Sequence, residues 1–263
     1  MHHPLLALDH ASYHYAGRDL TVLDDCSIAL GSGKVGLIGP NGSGKTTLLQ
    51  CLMGILRPHK GVLRFKGEVV ASKESLRIMR RHVGFVFQQA DDQLFSPTVL
   101  EDVAFGPLNL GLTPQEAQAA ARNTLASLGL DGYEDRVCHR LSGGEKRLVA
   151  LATVLAMTPE LLLLDEPTND LDPAMRKRII HIVNELPLAM LIVSHDWDFL
   201  SRTVFSCLAM EDGRLRPVPM AVLHSHRHGE AGAVGDGDGD PHRPHLHGGR
   251  SITREQGEPV PPE

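Results

Sequence analysis

The octapeptide Gly39-Pro40-Asn41-Gly42-Ser43-Gly44-Lys45-Thr46 constrains this chain more than any other stretch of it. It fills the pattern G-x-x-x-x-G-K-[ST] completely. It stands between a short apolar run at 35–38 and a run at 46–56 that carries leucines and a methionine at helical spacing. Strand, glycine loop and helix in that order build a phosphate cradle. The glycines let backbone N–H groups turn inward, and the helix N-terminus adds partial positive charge. Lys45 is placed to reach β and γ phosphate oxygens and the Thr46 hydroxyl to ligate Mg2+, with Thr47 counted in the same nucleotide site. With its context matched on both sides, this reading outweighs that of a glycine-rich turn that merely starts a helix.

A magnesium site needs a carboxylate across from that threonine, and water attack needs an orienting group beside it. Asp165 and Glu166, directly after the apolar run at 161–164, supply both. Asp165 is expected to hold Mg2+ through water and Glu166 to polarise the attacking water. The runs at 161–164 and 190–193 are continuously apolar, as in parallel strands buried on both faces. Polar residues follow each of them, where ligands bind in open α/β sheets. Further strands are predicted at 20–30, 62–66 and 83–87, with a short polar helix at 73–81. From about 89 to 156 the pattern is mostly helical. Thr113-Pro114-Gln115-Glu116 forms a capping box with proline at the first helical position, and an alanine-rich run continues to Gly129. A helical insert thus interrupts an α/β core.

Charge and composition narrow the class. The net charge of the 263 residues is -6, and 217–263 contributes half of it, with four arginines against seven acidic residues. No basic field exists to hold a polyanion, so no nucleic-acid partner is expected. The longest strongly apolar stretch, 148–157, falls short of the ~20 residues that a membrane-spanning helix needs. The start MHHPLLALDH lacks the basic region of a secretory leader. Cys26, Cys51, Cys138 and Cys207 are scattered without C-x-x-C spacing, which fits a reducing compartment.

At Leu141-Ser142-Gly143-Gly144-Glu145 the chain resembles the signature motif of ATP-binding cassette ATPases. The rest of that family's set follows in order: Tyr15 in SYHY, Gln88 in FVFQQ, Asp165-Glu166, Asn169-Asp170-Leu171-Asp172, and His195 in IVSHD. The resemblance implies ATP and Mg2+ as cofactors, Tyr15 stacked on adenine, Gln88 on Mg2+ or the lytic water, and His195 bonded to the γ-phosphate. A π face, an amide that both donates and accepts, and an imidazole at a strand end suit those roles. Ser142, Gly143, Gly144 and Glu145 open a helix and so form a second anion site. In this family that site closes on nucleotide held by a second cassette chain. A homodimer with two active sites is expected, a heterodimer being the alternative.

The strings Gln89-Ala90-Asp91-Asp92-Gln93-Leu94-Phe95, Glu101-Asp102-Val103-Ala104-Phe105-Gly106-Pro107 and Asn109-Leu110-Gly111 resemble the ATP-binding subunits of energy-coupling-factor importers, which serve cobalt, nickel and vitamin uptake. Importers of this kind dock an integral membrane subunit here and work with a substrate-capturing component. Two departures stand out: Ala90, where that family usually has proline, and Lys34, where an acidic residue is common. Near the C-terminus, His224, His226, His228, His242, His245 and His247 lie among Asp236, Asp238 and Asp240. Imidazole suits Ni2+, Co2+, Zn2+ and Cu2+, so the segment points to a metal without naming it. Metal buffering or sensing is one reading of this segment, and simple solubilisation is the other.

The sequence therefore predicts an α/β phosphate-loop ATPase core with a parallel-rich sheet, an antiparallel β subdomain and a helical signature subdomain. The cassette domain is expected over 1–216 and a disordered His/Gly/Asp-rich tail over 217–263. The expected function is ATP-driven import of a divalent transition metal, nickel ahead of cobalt, from a peripheral position on the cytoplasmic face of the membrane. The alternatives are vitamin uptake, or a soluble cassette ATPase outside transport.

Overall fold

The computed structural model describes residues 3–17 and 21–221. Two sheets share the work. Strands β1 (Leu6–His14), β2 (Thr21–Leu30), β4 (Lys60–Phe65) and β5 (Glu68–Val69) make an antiparallel sheet in the order β2-β1-β4-β5. The larger sheet contains β3 (Lys34–Ile38), β6 (Val83–Val86), β7 (Leu161–Asp165), β8 (Ala189–Val193), β9 (Ser206–Glu211) and β10 (Arg214–Val218). Its order is β10-β9-β3-β8-β7-β6, and every pairing is parallel except β9 with β10. All residues of β6, β7 and β8 are buried, which is why their sequences show no alternation. β3, β7 and β8 end side by side, and the chain leaves each into a polar loop.

Helix α1 (Lys45–Leu52) follows β3 and packs into the core shared by the antiparallel sheet and one face of the large sheet. Helix α2 (Lys73–His82) precedes β6. The insert expected at 89–156 comprises α3 (Val99–Asn109), α4 (Pro114–Ser127) and α5 (Gly143–Leu155), with 3-10 turns at Ala90–Asp92 and Cys138–Arg140. Its apolar faces join the opposite face of the large sheet with α6 (Pro173–Glu185) and α7 (Trp197–Thr203) in a second core. Helices α2 to α5 all start from capping boxes, at Ser72, Thr98, Thr113 and Ser142. The Thr98, Thr113 and Ser142 boxes each carry the S/T-x-x-E pattern in the sequence, whereas the Ser72 box uses a serine at its third position.

Two local expectations are corrected. The helix expected to run over 46–56 stops at Leu52, because Gly54 takes a left-handed φ of 62°. The Met53 and Gly54 carbonyls there accept from the Arg80 guanidinium. The insert is mostly helical, as expected, with Thr98 and Val137 joined in an isolated antiparallel bridge between its helices. The ordered core also runs beyond the expected boundary at 216. Pro217 and Val218 continue β10 against Leu208 and Cys207, and Val218 and Met220 pack on the second core. The departure at Lys34 has a physical reason too. Its ammonium, buried and therefore pushed below the usual lysine range, donates to Asn184 O at the C-terminal end of α6.

Candidate active site

The phosphate loop is held by close backbone approach at both ends. Gly39, at φ 153°, lies where an added Cβ would meet Met210 O at 2.5 Å. Gly44 caps α1 at φ 106°, where a Cβ would meet Val22 O at 2.8 Å. Any larger residue would push the loop off the sheet. Across the loop, Lys45 Nζ donates to Gly39 O at 2.8 Å and to Pro40 O at 3.0 Å. Burial pushes this ammonium below its ordinary range, and Glu166 and Asp165 act in the opposite direction.

Thr46 Oγ1 donates to Asp165 Oδ2 at 3.2 Å, bringing together two residues 119 positions apart. Glu166 follows Asp165 with a left-handed φ of 46°, a costly conformation for a side-chain-bearing residue. It is fixed by hydrogen bonds from Glu166 N to Val193 O and from Asn169 N to Glu166 O. His195 N donates to Glu166 Oε2 at 3.1 Å, and His195 Nε2 lies 3.3 Å from Oε1. Burial raises both carboxyls above the usual range, most simply because a charge there loses its hydration.

Two buried side-chain oxygens, Ser43 Oγ and Glu166 Oε1, have no hydrogen-bond partner among the described residues. Glu166 lines a cleft of about 420 Å³ together with Tyr15, Thr46, Gln88 and His195. A glycine loop at a helix start, a lysine, a threonine beside a carboxylate and an orphaned carboxylate oxygen fit a magnesium–nucleoside triphosphate. The Tyr15 hydroxyl sits 3.1 Å from Thr47 Oγ1, and Tyr13 meets the Tyr15 ring edge-on at 5.1 Å. This fixes the aromatic face at the mouth of the cleft. Gln88 is exposed on the loop after β6.

Residues Ser142, Gly143, Gly144 and Glu145 do not join this cleft. Ser142 caps α5, accepting from Glu145 N, while the Glu145 carboxylate accepts from Ser142 N and Ser142 Oγ. Glu145 also accepts from Tyr133 Oη at 2.6 Å and Arg136 at 3.1 Å, and these bonds, with the Tyr133 hydroxyl foremost, hold its pKa at about 2. Glu145 is therefore turned to the helix cap. Ser142 and Gly143 at the start of α5 are exposed and do not line the cleft of the chain's own phosphate loop. Asn169, from the motif at 169–172, lines the cleft as well, and so does Val22, which has no sequence signal of its own. The histidines at 224, 226, 228, 242, 245 and 247 lie outside the described residues. Among the described residues no group of three or more His, Cys, Asp or Glu is arranged to hold a metal, and no helix is long and apolar enough to cross a membrane.

Comparison with known proteins agrees with this geometry. Residues 23–169 match the family model described as ABC transporter. A putative ABC transporter ATP-binding protein of Nitratidesulfovibrio vulgaris is 53% identical over 231 residues, covering 86% of this chain and 85% of the relative. The energy-coupling factor transporter ATP-binding protein EcfA of Methanothermobacter thermautotrophicus is 48% identical over 186 residues, covering 69% of this chain and 60% of that relative. Among solved structures, cbiO1 of Clostridium perfringens, part of the ABC transporter complex cbiONQ, superposes with a TM-score of 0.75 at 31% identity. That match covers 86% of this chain and 92% of cbiO1. A dimeric cassette, MJ0796 bound to ADP and Pi, gives a TM-score of 0.73 at 25% identity over 82% of this chain and 98% of its own.

Proposed function

The chain belongs to the ABC transporter ATPase family, and from that premise we propose that it powers import of a divalent transition metal, nickel ahead of cobalt, through a separate integral membrane subunit. ATP hydrolysis coupled to transport, with ATP and Mg2+ as cofactors, is the family's activity. The observation that carries the hydrolytic assignment is the facing pair across the phosphate loop: Thr46 bonded to Asp165, with the unpartnered Glu166 Oε1 beside them.

Thr46, Asp165 and Gln88 would hold Mg2+, which supplies charge neutralisation at the phosphates. Lys45, whose ammonium now spans the loop's own carbonyls, is the cation for the β and γ oxygens. Glu166 Oε1 accepts a hydrogen bond from the attacking water and takes its proton, since it is buried and receives no hydrogen bond from the chain, with the His195 ring 3.3 Å away. His195 holds Glu166 by its backbone N–H and presents its ring to the γ-phosphate from the exposed side. Ser142, Gly143 and Gly144 act on nucleotide bound by a second cassette chain, for which a second copy of this chain is the simplest candidate. Glu145 preserves their geometry through the cap. The likeness to a dimeric cassette supports this arrangement.

Likeness to EcfA and cbiO1 supports a place beside a membrane subunit and a substrate-capturing component, peripheral to the cytoplasmic face. The histidine-rich 224–247 segment favours a metal cargo over a vitamin, because six imidazoles among aspartates suit a divalent transition-metal cation and do nothing for a vitamin. Uptake of nickel, cobalt and a vitamin by cells lacking this chain tests the proposal. Selective loss of nickel uptake is expected. Loss of vitamin uptake alone would replace the metal reading, and purification from solubilised membranes with no integral partner would remove the importer.

A further inference from the structure

Phe87, the residue before Gln88, has both of its backbone polar groups tied to one helix. Its N–H donates to Gln93 Oε1 at 3.1 Å, and the Gln93 amide in turn donates to Ala150 O at 2.7 Å and Thr153 Oγ1 at 2.8 Å on α5. Its carbonyl accepts from Arg147 Nη1 at 2.8 Å, also on α5. The 3-10 turn Ala90–Asp92 folds the loop back so that Gln93 can reach a residue six positions earlier. Lys146, again on α5, adds an ion pair to Asp91 at 2.6 Å.

The Gln93 carboxamide is fully used, one oxygen accepting and both amide hydrogens donating, so its orientation is set by its partners. Arg147 is buried, and burial lowers the pKa of its guanidinium, while the nearest charges of opposite sign are those of Asp170, Asp165 and Glu166. A cation kept in that position against its desolvation cost must be compensated locally, and the Phe87 carbonyl is the acceptor that the structure gives it.

We infer that Gln93 and Arg147 are positioning residues for Gln88: they clamp Phe87 to α5, so that the place of Gln88 in the nucleotide cleft follows the helix that begins at Ser142. This rests on the proposed role of Gln88. A displacement of the signature end of α5 by a second chain's nucleotide is thereby carried to the first chain's own cleft through two side chains. Neither residue touches the cleft's phosphate region, and both act through the backbone of Phe87.

The test uses the full chain with Gln93→Met, which keeps length but removes the donors and the acceptor. Arg147→Met serves as the second variant. The clamp predicts a fall in kcat for ATP of about tenfold with KM changed by less than about twofold. It also predicts that Phe87 amide hydrogen exchange speeds up roughly fivefold, the loss of one neutral hydrogen bond. In a Gln88→Ala background, Gln93→Met should lower kcat no further, because the clamp works only through Gln88. Unchanged kcat, unchanged exchange at Phe87, or losses that multiply in the double variant would each overturn the inference. If Gln88→Ala alone keeps full kcat, the role of Gln88 itself falls and the inference with it. Exchange at Phe87 still reports whether the tie to α5 exists.

Discussion

His195 and Glu166 meet twice: the backbone N–H of His195 donates to Glu166 Oε2 at 3.1 Å, and its ring nitrogen Nε2 stands 3.3 Å from Oε1. The carboxylate is thereby held just after β7, with Oε2 bound by a backbone N–H and Oε1 beside the imidazole in the cleft that both residues line.

Glu166→Gln should keep ATP binding and lose turnover by about 10²-fold or more, measured as steady-state hydrolysis against equilibrium nucleotide binding. Near-normal hydrolysis would end the general-base assignment. The same substitution should raise stability at neutral pH by about 1 kcal/mol, because it removes a charge that burial disfavours. The folded pKa is raised, so the native state binds the proton more readily than the unfolded chain. The wild type is therefore penalised above that pKa and recovers as pH falls through it, and the stability difference between the proteins should shrink in the same direction.

Glu145 has the opposite sign. Its pKa is depressed to about 2, with the Tyr133 hydroxyl as the leading cause, so its ionised form stabilises the native state. That contribution is complete above the ordinary glutamate value and is lost as pH falls from about 4.5 towards 2. Glu145→Gln should cost about 1 kcal/mol at neutral pH, a typical value for a cap. Thermal unfolding followed against pH should show the two proteins converge in acid. A constant difference would show that the cap does not depend on the charge.

Ala90 opens a 3-10 turn, and the residue before it, Gln89, is extended at φ -106° and ψ 118°. Both conditions suit proline at position 90. Ala90→Pro should therefore raise stability by about 0.5 kcal/mol through the unfolded chain, with ATP hydrolysis unchanged, as read by chemical denaturation. A loss of stability would mean that the Ala90 N–H or the tight packing of this buried residue is needed.

Truncation after residue 221, which leaves β10 and Met220 in place, should abolish nickel binding in calorimetry while ATP hydrolysis persists. A cut at 216 would instead remove Pro217 and Val218 from their pairing with β9 and should lower stability as well. Equal nickel binding by the 1–221 chain would separate the histidines from any metal role.

The phosphate loop was legible because each of its residues is specified by backbone geometry or by direct phosphate chemistry, and such requirements leave a contiguous pattern. Asp165 and Glu166 were legible for a related reason, since a buried strand of four leucines ending in an aspartate marks where the polar loop must begin. The edge elements were less so. β10 carries two arginines and a proline, and only its pairing with β9 identifies it as a strand. The end of α1 was misplaced because the cation that satisfies its last carbonyls, Arg80, arrives from another helix.

The sequence by itself determined the family, the phosphate loop and the order of the motifs, because these depend on neighbours along the chain. Tertiary structure alone decided which Glu166 oxygen receives no hydrogen bond, that Tyr133 and Arg136 grip Glu145, that Lys34 serves the end of α6, and that Gln93 and Arg147 grip Phe87. The physical reason is that a buried polar group must find a partner wherever the fold brings one. Across separations such as the 150 positions between Lys34 and Asn184, no local pattern encodes which partner that will be.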